Sequence, residues 1–417
     1  MSILTGRSLS ATGLAVAILL ALVPTGHVAA QTAPSYESLL SRLDQMPATV
    51  QGVALAEAAE ARVQQARALP NPTVSIEAEN AYGTGPYKGF SNADSIVTLS
   101  QPLEIWGQRG ARVRAARAEA GAAGLRGDLM RSDAAGRLAA TYAEAEAALR
   151  RYELASEALA LIEQDAKAVA AMVSEGREPN LRGVQARSEV ANAKASLDEA
   201  EAYRDAALAR LAGVSLVDSP LTDIGESLLD RVPSHPVAIE APPLAVRIAQ
   251  AEAEASGRLI DVERKRALPQ LSASVAQTRF RQAGDQAYNV GISLSIPLFD
   301  RNRGAIQAAY AEQRAAEAVL VAQKSDSEAA RLGAVASLKA SNSRARAADE
   351  SVQAADEAYR LARIGFEAGR ISQLELRSTR STLIAARGSA VDARLSRVAA
   401  EIDLARLEGR APFVEAK

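Results

Sequence analysis

The chain has 417 residues, only 4% of them aromatic, no cysteine and a formal charge of −2. The scarcity of large side chains argues against an ordinary compact core, and near-neutrality gives no case for nucleic-acid binding. The missing thiol excludes disulfides, thiolate metal sites and a lipidated N-terminal cysteine.

Residues 1–30 read as a signal peptide. Arg7 supplies the positive start, Leu14 to Val23 form a short apolar run, and Val28-Ala29-Ala30 offers a small-residue cleavage site. The run is short for a membrane-spanning helix, and no other stretch approaches that length. A membrane passage by this chain would therefore have to use strands. Removing the leader leaves His235 as the only histidine.

Beyond the leader the chain is duplicated. Ala-Leu-Pro70 precedes one alternating segment and Ala-Leu-Pro269 another. Further landmarks recur in the same order: Pro102 with Pro297, Gly176 with Gly369, and Gly213 with Gly409, at offsets of 199, 195, 193 and 196 from the first pair onward. Four landmarks at nearly constant offset mark an internal two-fold repeat. The first repeat is placed at 31–219, with strands at about 73–80 and 94–101 and a helical hairpin at about 103–212. A Pro-rich link follows at 220–243, and the second repeat at 244–417, with strands at about 271–279 and 288–296 and a hairpin at about 298–409.

In the first strand Val74, Ile76 and Ala78 oppose Glu77 and Glu79. In the second repeat Leu271, Ala273 and Val275 oppose Ser272 and Ser274, and Tyr288, Val290, Ile292 and Leu294 oppose Asn289 and Ser293. Such alternation fits a transmembrane β-strand with lipid on one face and water on the other. Glu77, Glu79, Ser272, Ser274, Asn289 and Ser293 are then barrel-lumen residues. A soluble hairpin with one face on a core is the competing reading. Four strands are too few to close a barrel, so several chains must share one.

No proline interrupts the stretch from Leu103 to Glu178 or from Leu298 to Ala411. A helix from Leu103 to Ser174 would run roughly 100 Å at ~1.5 Å per residue. Leu138, Tyr142, Ala145, Leu149, Tyr152, Ser156 and Leu159 keep a coiled-coil spacing, which shifts at Ile162, Ala166, Val169 and Val173. Gly121, Gly124, Gly127 and Gly136 weaken the start of this helix. The turns holding Glu175, Gly176, Arg177, Glu178, Pro179 and Asn180, and Glu367, Gly369 and Arg370, send the chain back at one end of the molecule. They are candidate docking and gating tips, and Glu175, Glu178 and Glu367 would form an acidic ring in an oligomer.

At the strand–helix junctions stand Pro102, Pro297, Asp300, Arg301, Asn302 and Gly304, read as structural, with Asp300 as a helix cap. Glu144 and Glu146 are two apart and read as solvated. No nucleophile motif, P-loop or metal-ligand set is present, so no enzymatic activity, cofactor or tight metal site is expected.

With these residues in hand, the chain resembles the TolC-like outer-membrane efflux proteins, and more closely their cobalt-zinc-cadmium branch. Leu69-Pro-Asn-Pro72 before a strand and Ile296-Pro-Leu-Phe-Asp-Arg-Asn-Arg-Gly304 carry the likeness, joined by Tyr359, Gly369 and Leu374-Glu-Leu376 near the second turn. The resemblance covers essentially the whole mature chain. It implies a mostly α protein with a small β part: long helical hairpins forming a periplasmic tunnel, and four strands per chain in a trimeric, twelve-stranded outer-membrane barrel. It implies a homotrimer in outer-membrane lipid, a periplasmic adaptor (membrane fusion protein) at the tips, and indirectly an inner-membrane RND pump. The expected function is passive conduction of heavy-metal cations such as cobalt, zinc or cadmium. A drug-efflux or type I secretion duct is the alternative, and a soluble periplasmic coiled-coil scaffold is a third reading.

Overall fold

The computed structural model describes residues 31–232 and 242–414. Residues 1–30, read above as a signal peptide, and Pro233, His235 and Pro236 lie outside the described residues. Two parts build the molecule, a sheet of four strands and a sheaf of long helices. One order of elements occurs twice: helix, strand, strand, long helix, returning helix. In the first pass these are α2 (Pro47–Arg67), β2 (Thr73–Glu79), β3 (Asp94–Leu103), α3 (Gln108–Ser174) and α4 (Asn180–Ser215). In the second they are α5 (Leu244–Arg266), β5 (Gln270–Arg279), β6 (Gln286–Ser295), α6 (Arg303–Glu367) and α7 (Gln373–Glu408). The short β1 (Gln31–Ala33), α1 (Tyr36–Leu40) and β4 (Leu221–Ile224) complete the chain, with β1 and β4 paired in parallel.

The long sheet has the order β2-β3-β5-β6, antiparallel throughout. Its register sorts the side chains by polarity. Ile76 faces Val97 and Val74 faces Leu99; Leu99 faces Val275, which faces Val290. That face is apolar, and its side chains meet solvent in the single chain: Ile76 is 76% exposed, Val290 81% and Ile292 77%. A soluble hairpin would cover such a face with a core, and none of the described residues does so here. The opposite face is polar and, on the central strands β3 and β5, more enclosed. Along β3, Asp94, Thr98 and Ser100 are half-buried while Val97 and Leu99 are exposed. The polar face is therefore the concave one, as in a water-filled barrel.

All four strand–helix junctions lie at one end of this sheet, since Thr73 pairs with Ser100, Leu103 with Leu271, and Gln270 with Ser295. From that end α3 runs unbroken for 67 residues and α6 for 65, about 100 Å each. The glycines near the start of α3 do not interrupt it. One of them does a specific job: a Cβ on Gly127 would lie 3.2 Å from the Gly52 carbonyl oxygen, and one on Gly52 would lie 3.1 Å from the Gly127 Cα. This is a close backbone-to-backbone crossing of α2 and α3, where any side chain at either glycine would press on the facing backbone. Beside it Ala59 and Val63 pack on Ala120 and Ala123. Against the start of α3, α5 sets Val262 on Ala111 and Ala115.

The main core lies midway along α3, where Leu138, Tyr142 and Ala145 are fully buried. Leu39 and Leu43 from the start of the chain, Leu208 and Leu211 from α4, and Val391 and Val398 from α7 pack around them. Farther along the seam the coiled-coil positions open: Leu149 and Tyr152 are half-buried and Ser156 is exposed.

Two expectations change here. The described part of the link is an element of the core, because Leu228 and Leu229 are fully buried in it. Glu146 is not solvated but 4% exposed. Its Oε2 accepts the Leu228 and Leu229 N–H groups at 2.7 and 3.0 Å, and its Oε1 accepts Ser227 Oγ and Arg150. A glutamate two positions from exposed Glu144 thus ties the link to α3, which spacing along one helix could not reveal. The end of α4 also departs from the second repeat. Gly213 lies inside the helix, which stops instead at Leu216 in a left-handed conformation (φ 53°), whereas α7 stops at left-handed Gly409.

Two stability tests follow. Gly127→Leu forces α2 and α3 apart and is expected to cost about 1–3 kcal/mol, read as a lower urea midpoint, while Gly121→Leu, whose Cβ position is open, leaves the midpoint nearly unchanged. Glu146→Ala leaves the buried Leu228 and Leu229 N–H groups without their acceptor, while Arg150 keeps Asp230, and is expected to cost about 2–3 kcal/mol; an unchanged midpoint would contradict the link's place in the core.

Candidate functional site

The polar face of the sheet is the first site. Glu77, Glu79, Ser272, Ser274, Asn289 and Ser293 all stand on it by register. Asp94, which the sequence reading did not single out, joins them directly across from Glu79. Asp94 Oδ2 accepts Asn80 Nδ2 at 3.0 Å and Oδ1 accepts the Arg281 N–H at 2.9 Å, so it fixes both loops at that rim. The positions of β2, β3, β5 and β6 on this face include three carboxylates and neither Lys nor Arg. All three stand toward the loop end, away from the helices.

The helical turns form the second site. Both close as Schellman motifs. After α3, Arg177 N–H donates to Met172 O and Gly176 N–H to Val173 O, with Gly176 at φ 72°. After α6, Arg370 N–H donates to Gly365 O and Gly369 N–H to Phe366 O, with Gly369 at φ 70°. Pro179 is the N-cap of α4 and Asn180 its first residue. Ser372 caps α7, accepting the Glu375 N–H. The tip acids are partly neutralised: Glu175 pairs with Arg177 at 3.3 Å and Glu367 with Arg363 at 3.7 Å. Glu178 is half-buried.

Just behind the tips the two hairpins of one chain are joined. Arg380, 5% exposed, is ion-paired with Asp165 of α3 and lies 3.1 Å from Glu189 of α4. Burial pushes the Asp165 carboxyl above its ordinary range, and Arg380 opposes that shift. Two further arginines follow on α7 at seven-residue steps. Arg387 meets Glu157 at 2.7 Å and Asp356 at 3.1 Å, and Arg394 meets Asp349 at 2.7 Å. The heptad spacing of these arginines was visible in the sequence, but their acidic partners come from elements up to 230 positions away.

At the strand–helix junctions the two repeats use one device. Gly107 and Asn302 precede α3 and α6, both left-handed, at φ 78° and 56°. Glycine and asparagine are the residues that tolerate this conformation best. Asn302, not Asp300, is the N-cap; Asp300 Oδ1 instead accepts the Asn302 N–H at 2.9 Å. Asn302 Nδ2 donates to the Glu263 carbonyl at 2.9 Å, tying α6 to α5. Pro102 lies within β3, Pro297 follows β6 with Arg301 close behind, and Gly304 sits in the first turn of α6.

Among the described residues no helix is long and apolar enough to cross a membrane, and no group of three or more His, Asp or Glu is placed to hold a metal ion.

Comparison with known proteins accords with this architecture. The family model described as outer membrane efflux protein matches residues 41–215 and 240–410. The chain is 38% identical over 332 residues to the nickel-cobalt-cadmium resistance protein NccC of Alcaligenes xylosoxydans xylosoxydans, covering 78% of this chain and 75% of that one. It is 39% identical over 318 residues to the nickel and cobalt resistance protein CnrC of Cupriavidus metallidurans, covering 75% and 76%. A solved structure of CusC shares the fold with a TM-score of 0.78 at 17% identity, over 90% of this chain and 92% of that one. The concave polar sheet, its uncovered apolar face and the paired long hairpins are thus those of an outer-membrane channel reaching into the periplasm, and the chain belongs to the outer membrane efflux protein family.

Proposed function

We propose that the protein is the outer-membrane duct of a tripartite, RND-type efflux system and that it passes divalent heavy-metal cations. The observation that carries this reading is the polar face of the sheet, with Glu77, Glu79 and Asp94 on it and no fixed positive charge. The unpaired outer edges of β2 and β6 support closure with neighbouring copies. Three copies would give twelve strands and nine carboxylates at the outer mouth. Such a mouth concentrates cations by focusing the field. It needs no tight site, and selection among metals falls to the pump. The resistance relatives named for nickel, cobalt and cadmium support the substrate class. Conduction calls for weak rather than tight binding, since bound ions must also leave.

The tip turns are the adaptor-docking surface in this reading. Their Schellman geometry presents Arg177, Glu178 and Arg370 on fixed backbone at the end of the hairpins.

The charge reading is tested with the purified protein in planar bilayers under a potassium chloride gradient. The reversal potential is expected on the cation-selective side. In Glu77→Gln/Glu79→Gln/Asp94→Asn it should move toward zero; an anion-selective wild type would sink the proposal. The substrate and docking readings are tested in a deletion strain. Loss of tolerance to nickel, cobalt, zinc or cadmium is expected, restored by the wild-type gene. Gly369→Val, which strains the second tip turn by about 1–2 kcal/mol, should still reach the outer membrane but restore tolerance poorly and cross-link less to the adaptor. Unchanged tolerance to all four metals in the deletion strain would exclude the metal reading.

A further inference from the structure

Charge is distributed unevenly along the barrel. The four strand–helix junctions, residues 64–72, 103–112, 263–270 and 296–303, hold eight Lys or Arg and three Asp or Glu. The loops at the other end of the sheet, 80–93 and 280–285, hold two cations and one acid. A chain of net charge −2 thus gathers positive charge at the edge of the membrane that faces the periplasm. Apolar side chains accompany it. Ile105 is 56% exposed, Leu298 63%, and Phe299 fully exposed.

Within this belt lies a cavity of roughly 350 Å³. It sits at the foot of β3 and β5, the two central strands of the sheet, away from the edges where another chain would join. Leu103 and Leu271, paired with each other on the apolar face, form part of its wall. Arg112, Lys265 and Arg266 form another part. Arg112 is ion-paired with Glu104, and Arg266 with Glu263 at 2.6 Å. Lys265 is half-buried, and among the described residues no carboxylate pairs with it. A half-buried ammonium with no carboxylate partner keeps its donors available to an outside anion.

We propose that this cavity binds the phosphate of an anionic phospholipid of the inner leaflet, with Lys265 as its counter-ion and the acyl chains lying against the apolar face above Leu103 and Leu271. Cationic side chains below and a hydrocarbon-facing sheet above match the two ends of such a lipid. The chain has no cysteine through which an acyl group could be attached as a thioether, so a bound lipid would supply anchorage that the covalent route cannot. The inference rests on the outer-membrane placement and is independent of the solute conducted.

The chain contains a single tryptophan, Trp106, whose indole N–H donates to the Pro269 carbonyl at 2.8 Å, beside the cavity wall at Gln270. Its fluorescence reports on lipid near this end of the sheet, and the comparison of headgroups isolates the cavity's share. The full-length protein in non-ionic detergent is titrated with phosphatidylglycerol or phosphatidylcholine carrying identical dibrominated chains. Phosphatidylglycerol is expected to quench Trp106 at about fivefold lower mole fraction, the effect of one lysine near a lipid surface. Lys265→Gln should abolish that difference and Lys265→Arg should retain it. Equal quenching by the two lipids in the wild type, or a preference that survives in Lys265→Gln, overturns the proposal. So does abolition of the preference by inorganic phosphate at constant ionic strength, which would identify a free-phosphate site. Flotation with liposomes separates the two levels: protein that fails to float refutes membrane placement, whereas protein that floats without lipid preference refutes only this site.

Discussion

The close approach of helix backbones to α3 is the constraint on which this molecule depends. Over its length α3 packs against α2, α4, α5 and α7. Large side chains on every flank would hold four neighbours too far away to share one helix. Alanine and glycine solve this by making the side chain nearly vanish at the contact, as at Ala111, Ala115, Ala120 and Gly127. The association then relies on dispersion between closely spaced backbones and short side chains. Large residues are concentrated where a true core exists, around Leu138 and Tyr142. The low aromatic content is a consequence of this architecture.

Length and rigidity follow from the same choice, and charge does the remaining work. The arginines of α7 reach acids on both hairpins and hold the two repeats of one chain in register. Most of these pairs are partly exposed, so each contributes little alone. Arg380 is different, because it is buried against half-buried Asp165 and Glu189. Removing both acids would leave its guanidinium buried without a counter-charge.

Much of this organisation was legible in the sequence because it is periodic. Alternation over Tyr288 to Leu294 gave the sheet faces, the absence of proline gave the long helices, and repeated glycines gave the turns. Three things were not legible. Glu146 looked solvated because its partners, Leu228 and Leu229, lie some eighty positions away in a segment that reads as a linker. Asp94 opens the strand placed at about 94–101, but only the register, which sets it opposite Glu79, puts it on the polar face with the other carboxylates. The ends of α4 and α7 matched as Gly213 and Gly409 in the sequence, yet α4 continues to a left-handed Leu216. That strained ending leads directly into β4 and the buried link, which have no counterpart among the described residues after α7. Each miss concerns a contact set by tertiary structure rather than by spacing.

The free rims of β2 and β6 constrain how the protein is made. In hydrocarbon, a lone copy would present two rows of backbone groups with no hydrogen-bond partner, each costing several kcal/mol. A solitary sheet is therefore barred from the bilayer, while the helices, satisfied within themselves, can form in water beforehand. Assembly must precede or accompany insertion. The rate at which channels appear then rises more steeply than linearly with the number of chains delivered to the periplasm.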